Sequence, residues 1–290
     1  MNSNQLKWFY LIILSIIWGS SFILIKKGLI GLTPLQLGAL RIIITGFILL
    51  LFGLKNLKTI EKSKWKWIII SGLLGTFFPA FLFSFAETEV DSAVASILNS
   101  LVPLNTILFG FAIFKITTTT RQTFGVIIGF IGTAILIASG KSLNPDQNYF
   151  FAGFIILATV MYAINVNIIK KYLQQEKPLT IAVGNFAVII IPAFIILLFS
   201  NFFSKATFEN EHLYKSIVYV AVLSTFGTAL AKVMFNKLVQ ISTPVFASSV
   251  TYVMTIVAVS WGLLDGEKLG LIQIIGGIVI LLGVYLSNRK

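Results

Sequence analysis

WGSSFILIKKGLIGLTPL, from Trp18 to Leu35, contains the end of an apolar helix, a lysine pair, a short turn and a helix start led by proline. The stretch from Tyr162 to Leu179, YAINVNIIKKYLQQEKPL, repeats this order 144 residues later without a gap. The matched positions are Trp18 with Tyr162, Lys26-Lys27 with Lys170-Lys171, and Pro34-Leu35 with Pro178-Leu179. A repeat of this kind indicates one structural module encoded twice. We therefore predict two repeats, residues 1–144 and 145–290.

The composition indicates a protein covered by lipid rather than by water. Of the 290 residues, 57% are hydrophobic and only 11% are charged, whereas a soluble domain carries about 25% charged residues. The chain has no cysteine, which excludes disulfides and cysteine zinc sites, and its one histidine, His212, lies in a polar stretch. The net charge of +12 fits cationic loops beside anionic lipid better than nucleic-acid binding.

Apolar runs long enough to cross a bilayer follow one another along the whole chain. A spanning helix needs about 20 mostly apolar residues, and the sequence predicts ten of them, at 8–29, 34–54, 66–86, 91–114, 121–139, 150–169, 179–199, 214–236, 243–264 and 270–287. The expected fold class is therefore an all-α integral membrane protein with ten transmembrane helices. The first run is too long for a cleavable signal peptide. No connection could hold an ATP-hydrolysing domain, and no GxxxxGK[ST] motif occurs.

The cationic residues predict how the chain lies in the membrane. Lys and Arg concentrate in the loops that share a side with both termini, including the loop from Lys55 to Lys66. The positive-inside rule then puts both termini in the cytoplasm, with the chain in the inner membrane. Acidic residues fall on the opposite, outer side, with Glu87, Glu89 and Asp91 on one predicted loop and Asp265 and Glu267 on another.

Further matches between the two halves predict an inverted repeat. Gly75-Thr76 in the third predicted span matches Gly227-Thr228 in the eighth, 152 residues later. Ala95-Ser96 matches Ala247-Ser248 at the same offset. Because each half contains an odd number of spans, five, the second copy enters the membrane from the opposite side. Inverted repeats are typical of transporters, in which the two copies exchange conformations to open the site to either side.

These features together resemble the drug/metabolite transporter superfamily, EamA type. The resemblance covers essentially the whole chain. It rests on WGSSF at Trp18–Phe22, on Thr33-Pro34 followed by Arg41, on Ala93, Ala95, Ser96 and Pro103, on Gly266-Glu267, and on Gly276 and Gly283. The chain departs from the pattern at Lys115, which matches Glu267, and at Thr255, which matches Pro103. The resemblance implies an exporter fold whose members move amino acids, other small metabolites or drugs, with relatives that move phosphorylated or nucleotide sugars.

Two cations lie inside predicted spans. Lys232 shares a polar helix face with Thr228 and Asn236, and no Asp or Glu lies at comparable depth. It either contacts an anionic substrate or extends its side chain to the cytoplasmic interface. Arg41 lies about 12 Å inside its span. For Arg41 a structural or gating role is favoured over substrate binding.

Polar and aromatic residues of several spans form the predicted substrate site. Such polar groups either join helices or line a cavity, and the resemblance implies a cavity among these spans. The predicted substrate-binding residues are Trp18, Phe22, Asn99, Tyr162, Asn165, Thr228, Lys232 and Tyr252. The predicted structural or gating residues are Arg41, Pro79 and Pro103, the prolines because they kink helices and free carbonyl groups.

The sequence predicts a transporter of small organic solutes that works by alternating access, as an exporter or exchanger. One deep cation with neutral polar groups favours amino acids, ahead of phosphorylated metabolites and lipophilic drugs. Without a carboxylate at mid-depth, facilitated diffusion or exchange is favoured over proton coupling. A non-transporting sensor or scaffold is the alternative class. We expect no catalytic residues, no cofactor and no metal, a small-molecule solute and lipid as partners, and a monomer or weak homodimer.

Overall fold

The computed structural model describes residues 3–115, 119–143 and 148–288, and within these ranges all regular structure is helical. Ten principal helices follow in chain order. They are α1 (Ser3–Gly28), α2 (Pro34–Gly53), α3 (Lys62–Ala86), α4 (Ser92–Phe114), α5 (Thr120–Leu143), α6 (Ala152–Tyr172), α7 (Pro178–Phe199), α8 (Leu213–Ile241), α9 (Pro244–Leu264) and α10 (Leu271–Asn288). Short helical turns, Leu54–Thr59, Tyr149–Phe151 and Lys205–Phe208, occupy three of the connections.

Length and apolar surface confirm the predicted membrane class. Among the described residues, nine helices are long and apolar enough to cross a bilayer, and the apolar part of α10, Leu271–Leu286, is shorter. Large side chains such as Phe47, Phe199 and Leu264 are exposed. Lipid is the solvent in which such a surface is stable, and helices satisfy their own backbone groups there. The protein is therefore a multi-pass helical membrane protein.

The helix start after the Lys26-Lys27 turn shows how local sequence sets an element boundary. Thr33 accepts a hydrogen bond from the backbone of Gln36 (3.3 Å), and the Gln36 side chain accepts one from the backbone of Thr33 (3.0 Å). This reciprocal capping box satisfies two backbone donors of α2. Pro34 occupies the first helical position, where no backbone N–H is needed.

Four of the helices are irregular in their interiors. Residues Leu73–Phe77 of α3 and Leu223–Leu230 of α8 form π-helical turns, which contain the matched pairs Gly75-Thr76 and Gly227-Thr228. The α4 helix is interrupted between Asn99 and Val102, and α9 is interrupted at Ser249. Pro79 lies just after the first π turn and Pro103 just after the α4 interruption. Both prolines therefore lie beside irregular backbone, as a kinking role requires.

The matched lysine pairs lie at opposite ends of the bundle. Lys26 and Lys27 end α1, beside the loop that follows α9. Lys170 ends α6 and donates to the carbonyl of Ser242 (2.7 Å), between α8 and α9. Phe246, four residues after Ser242, packs on Trp8 near the start of α1 (5.3 Å between ring centroids). This arrangement is the one expected of an inverted repeat, although the boundary at 144 stays a prediction.

Two helices stand apart from the rest. The α5 and α10 helices pack mainly against each other. Glycines permit this close approach, since a Cβ atom on Gly283 would lie 2.5 Å from the backbone of Gly125 and Gly129. The remaining helices surround the centre of the molecule, with α2 packed on α7, α1 on α9 and α4 on α6.

Candidate functional site

A cavity of about 110 Å³ lies among α1, α2, α3, α4, α6, α8 and α9. Neither α5, α7 nor α10 contributes a residue to its described lining. Seven of the eight predicted substrate-binding residues line it, namely Trp18, Phe22, Asn99, Tyr162, Asn165, Thr228 and Lys232. The structure thus brings into one site residues that are up to 214 positions apart in the chain.

Lys232 points into the protein and not toward the membrane interface. The residue is 6% exposed, and its Nζ donates a hydrogen bond to the carbonyl of Gly75 (3.0 Å). That carbonyl belongs to the π turn of α3, where the regular helical hydrogen-bond ladder is disturbed. The alternative interpretation of Lys232, an extended side chain reaching the interface, is wrong.

Arg41 lines the same cavity, which the sequence did not favour. Its Nε donates to Thr228 Oγ1 (2.9 Å), and Thr228 donates to the carbonyl of Leu223 (3.2 Å) within the π turn of α8. Trp18 Nε1 donates to the carbonyl of Gly227 in the same turn (2.9 Å). Both π turns therefore present backbone or hydroxyl oxygens to side chains of other helices, and these contacts orient the two cations.

Some polar atoms around the cavity have no hydrogen-bond partner. Asn99 Oδ1 and Thr76 Oγ1 are buried and unpaired among the described residues. Asn165 is fixed differently, because its Oδ1 accepts from Ser71 Oγ (2.7 Å). Buried polar atoms are costly when unpaired. The free acceptors of Asn99 and Thr76 are therefore suited to a donor supplied by a bound solute.

Aromatic rings form the apolar part of the lining. Trp18 packs on Phe235 (4.9 Å between centroids), Phe22 on Phe83 (5.8 Å), and Phe83 is stacked with Tyr162 (6.1 Å). All five rings line the cavity. Such rings pack against apolar side chains, and a cation can lie over the face of a ring.

One predicted site residue does not line the cavity. Tyr252 packs against the apolar core, while its neighbour Thr251 lines the cavity. Adjacent residues of a helix point about 100° apart, so the choice between them depends on the exact helical phase. The interruption at Ser249 shifts that phase. Tyr252 is thus outside the described cavity lining, and its role in substrate binding stays a prediction.

Several lining residues were missed by the sequence-based prediction of the site. They include Ser21 and Thr76. A signal was present for both of them. Ser21 lies three residues after Trp18, so the two share a helix face, and Thr76 follows Gly75 in the matched Gly-Thr pair.

A cluster of charges, here called the latch, joins the end of α1 to the loop after α9. It consists of Lys26, Lys27, Asp265 and Glu267. Lys26 Nζ lies 2.8 Å from Glu267 Oε1 and 3.1 Å from Asp265 Oδ2, and Lys27 pairs with Asp265 Oδ1. Burial acts to raise the pKa of Glu267. The interaction with Lys26 and the hydrogen bonds from Ser92 and Ala93 together lower the pKa by more, so its net value is below the ordinary one. The latch carboxylates are thus ionised at neutral pH.

Glu267 also ties the latch to α4. Its Oε1 accepts from the backbone N–H and the hydroxyl of Ser92 (3.0 and 2.7 Å), and its Oε2 accepts from the backbone N–H of Ala93 (2.9 Å). A carboxylate at the first turn of a helix satisfies free N–H groups and interacts favourably with the helix dipole. One side chain therefore holds α1, α4 and α9 together at this end of the cavity.

Glu87 behaves differently from the other predicted outer-loop acids. It directly follows α3, as expected, but the residue is only 7% exposed and neither of its carboxyl oxygens has a hydrogen-bond partner among the described residues. Burial raises its pKa well above the ordinary value, and the nearby Glu267 charge raises it further. The sequence placed Glu87 on an outer loop and did not predict that its carboxyl group is buried.

The described residues contain no cluster of three or more His, Cys, Asp or Glu side chains that could hold a metal. The cavity lining includes two cations, Arg41 and Lys232, and no carboxylate. This arrangement favours an anionic group, and to a cationic group the described lining offers only neutral acceptors and aromatic faces.

Comparison with known proteins identifies the family. The profile of the EamA-like transporter family matches residues 6–138 and again 150–289. An uncharacterised transporter of Archaeoglobus fulgidus is 25% identical over 98% of this chain and 99% of its own length. The uncharacterised inner membrane transporter YedA of Escherichia coli K12 is 26% identical over 96% of this chain and 91% of its own.

Two further similarities concern a named activity and the fold. A Salmonella typhimurium protein named as a probable amino-acid metabolite efflux pump is 25% identical, covering 96% of this chain and 93% of its own. One crystal structure superposes with a TM-score of 0.67 at 16% identity, covering 96% of this chain and 95% of that one. It supports the fold alone. With both halves matched by one transporter profile, the chain belongs to the EamA-like transporter family.

Proposed function

We propose that this protein exports or exchanges small amino-acid-like solutes across the inner membrane by alternating access. The repeats 1–144 and 145–290 would exchange conformations around the central cavity, and both termini would face the cytoplasm. No catalytic step is involved in this proposal. The observation that carries it is the pair of cations, Arg41 and Lys232, in a cavity whose described lining has no carboxylate.

A carboxylate is the group that best offsets this charge. Charged side chains inside a membrane protein are costly and pair with other groups or with a ligand. Lys232 and Arg41 are each held by only one neutral oxygen in the hydrogen bonds described above. Since an ammonium has three donors and a guanidinium five, both retain donors for a bound anion.

The rest of the lining fits the other parts of an amino acid. Asn99 Oδ1 and Thr76 Oγ1 are free acceptors for an ammonium group. The rings of Trp18, Phe83 and Tyr162 supply apolar surface for a side chain. The name of the Salmonella typhimurium relative points to the same class of solute.

A phosphorylated metabolite is the second candidate. Its larger negative charge would be better matched by more cations than the two in the lining. A lipophilic drug is the third candidate, supported by the aromatic rings, but Lys232 and Arg41 would repel cationic compounds. A sensor or scaffold without transport is the alternative of a different class.

Uptake into proteoliposomes tests the proposal. The panel contains radiolabelled amino acids, a sugar phosphate and a lipophilic cation, and compares the wild type with Lys232→Ala and Lys237→Ala. Lys237 lies on the same helix but not in the cavity lining, so it controls for loss of charge. We expect the wild type to take up some amino acids. This uptake should fall about tenfold or more in Lys232→Ala, because one charge-assisted hydrogen bond to the solute is lost, and it should persist in Lys237→Ala. Uptake of another class alone, or equal uptake by both variants, would contradict it.

A further inference from the structure

The carboxyl group of Glu87 is buried, and among the described residues neither of its oxygens has a hydrogen-bond partner and no ion pair holds it. Three charges act on it from neighbouring elements, namely Lys26 of α1, Arg41 of α2 and Glu267 after α9. Tyr162 of α6 is also titratable, and its ring stacks on Phe83, one turn before Glu87. None of these groups forms a hydrogen bond with Glu87.

Both nearby cations are already engaged elsewhere. Lys26 is paired with Asp265 and Glu267, and Arg41 donates to Thr228. An isolated carboxylate that is buried in protein is strongly disfavoured, and such groups take up a proton instead. The geometry of the closed latch therefore leaves Glu87 as a neutral acid.

We propose that Glu87 is a proton-binding site, and that closing the latch end of the cavity takes up one proton at its carboxyl group. The proton comes from water at the open end and returns there when the latch opens and Glu87 becomes hydrated. The proposal depends on alternating access only in requiring that this end of the cavity opens. It does not depend on the solute.

The sign of the pH effect follows from the two states. When the end is open, a hydrated Glu87 has an ordinary pKa, and when it is closed, burial raises the pKa. Proton binding by Glu87 therefore favours closure fully at pH values below the ordinary pKa of the open state. This contribution to closure is lost as the pH rises through the raised pKa of the closed state. The latch acids act in the opposite direction, since the pKa of Asp265 and of Glu267 is lowered and their ion pairs weaken only in more acidic solution.

Cysteine labelling measures this equilibrium, because the chain has no cysteine of its own. Ile25, which lines the cavity one residue before Lys26, is replaced in Ile25→Cys. A membrane-impermeant maleimide is applied from the latch side between about pH 5 and pH 9. Rates are divided by those of Asn210→Cys, an exposed position between α7 and α8, which corrects for the ionisation of the thiol.

We expect the corrected rate in Ile25→Cys to rise with pH, by up to about tenfold per pH unit for one linked proton. Adding Glu87→Gln, which is permanently neutral, should leave a low rate without this rise. Adding Glu89→Gln, which removes a charge from the same loop, should preserve the rise. Adding Glu267→Gln should raise the rate at every pH, and the rise should end at a lower pH, because the Glu267 charge raises the pKa of Glu87.

Equal slopes for Glu87→Gln and the wild type would overturn the proposal, as would loss of the slope in Glu89→Gln. A flat wild-type profile would overturn it as well. Because the labelling needs no solute, failure of the amino-acid proposal in the uptake assay would leave this result interpretable, and the reverse also holds.

Discussion

Gly75 is the residue at which the absence of a side chain most directly shapes the cavity. A Cβ atom there would lie 2.8 Å from Lys232 Nζ and would overlap the Asn165 amide. Both neighbours are the ends of side chains, so they can move without unfolding the protein. The glycine therefore sets where the Lys232 ammonium lies and not whether the bundle forms.

The substitution Gly75→Ala tests this role. We predict that solute uptake falls about tenfold, because a displacement of about 1 Å in a binding group costs that much or more. The midpoint of thermal unfolding should change little, because two effects oppose each other. Moving the two side-chain ends destabilises the folded protein, whereas alanine favours a helix by about 1 kcal/mol over glycine. Gly153→Ala is the control, because nothing lies within 4 Å of a Cβ atom there. Normal uptake by Gly75→Ala would show that Lys232 is not positioned by this contact.

At the scale of single residues, seven of the eight predicted substrate residues line the cavity, and their role in binding stays a prediction. Lys232, Thr228 and Asn165 were recognisable because polar groups inside apolar spans need partners. Tyr252 does not line the cavity, and an interruption lies three residues before it on the same helix. The environment of Glu87 was not predictable from its own loop, because the charges that act on it, such as Lys26 and Glu267, come from distant positions in the chain.

At the scale of elements, α5 and α10 form a pair whose glycines bring two backbones together. In Gly283→Ala the new Cβ atom would meet backbone atoms of Gly125 and Gly129 at 2.5 Å, which cannot move independently. We predict a loss of about 1–3 kcal/mol in the free energy of unfolding, as for other overpacked interfaces. Solute uptake per folded molecule should persist, since neither helix contributes to the described cavity lining.

Thermal unfolding in detergent, followed by uptake normalised to folded protein, measures both effects. The control is Gly277→Ala on the same helix, where the nearest atom to a Cβ is a side-chain carbon of Ile97 at 3.3 Å. Its destabilisation should be smaller. Equal stability of the two variants would contradict the close packing of this helix pair.

Most element boundaries follow from apolar length and from local capping, as at Thr33 and Gln36. The π turns of α3 and α8 and the interruptions of α4 and α9 do not. Their irregular backbone is stabilised by side chains of other helices, such as Trp18 on Gly227 and Lys232 on Gly75. Those contacts exist only in the folded bundle, so no local pattern predicts them, although the matched Gly-Thr pairs marked where they occur.

At the scale of the whole molecule, the latch joins α1, α4 and the loop after α9, and we predict that it controls access to the cavity from that end. Glu267→Gln removes the ion pair with Lys26 and weakens the hold on α4. A hydrogen bond to a charged group contributes about 1.5–3 kcal/mol, so we predict about a 10- to 100-fold shift toward opening at this end. The ion pairs of the latch stabilise the closed end fully at pH values above the ordinary carboxyl pKa. This stabilisation is lost as the pH falls through the lowered pKa values of Asp265 and Glu267.

Labelling of Ile25→Cys from the latch side measures this shift. The control is Glu209→Gln, which removes an exposed carboxylate outside the latch that forms an ion pair with Lys205. It should leave the labelling rate unchanged. If Glu267→Gln and Glu209→Gln label equally, the latch does not hold this end closed.

At this scale the membrane class, the repeat and the transporter family could all be predicted from the sequence. The reason is that lipid permits few architectures, so a pattern of long apolar runs leaves few alternatives. The orientation of the termini and the oligomeric state stay predictions. So does the boundary between the repeats.

The most direct test of the account is whether the cavity is the path of the solute. Ser21→Cys places one thiol in the lining, and Ser260→Cys places one on the exposed face of α9 as a control. Each variant is treated with a membrane-impermeant thiol reagent from one side and then from the other, with and without a transported amino acid. We predict that Ser21→Cys reacts from both sides, more slowly when the amino acid is present, and that Ser260→Cys, facing lipid, reacts from neither. Reaction of Ser21→Cys from one side only, or at a rate that the solute does not change, would contradict alternating access through this cavity.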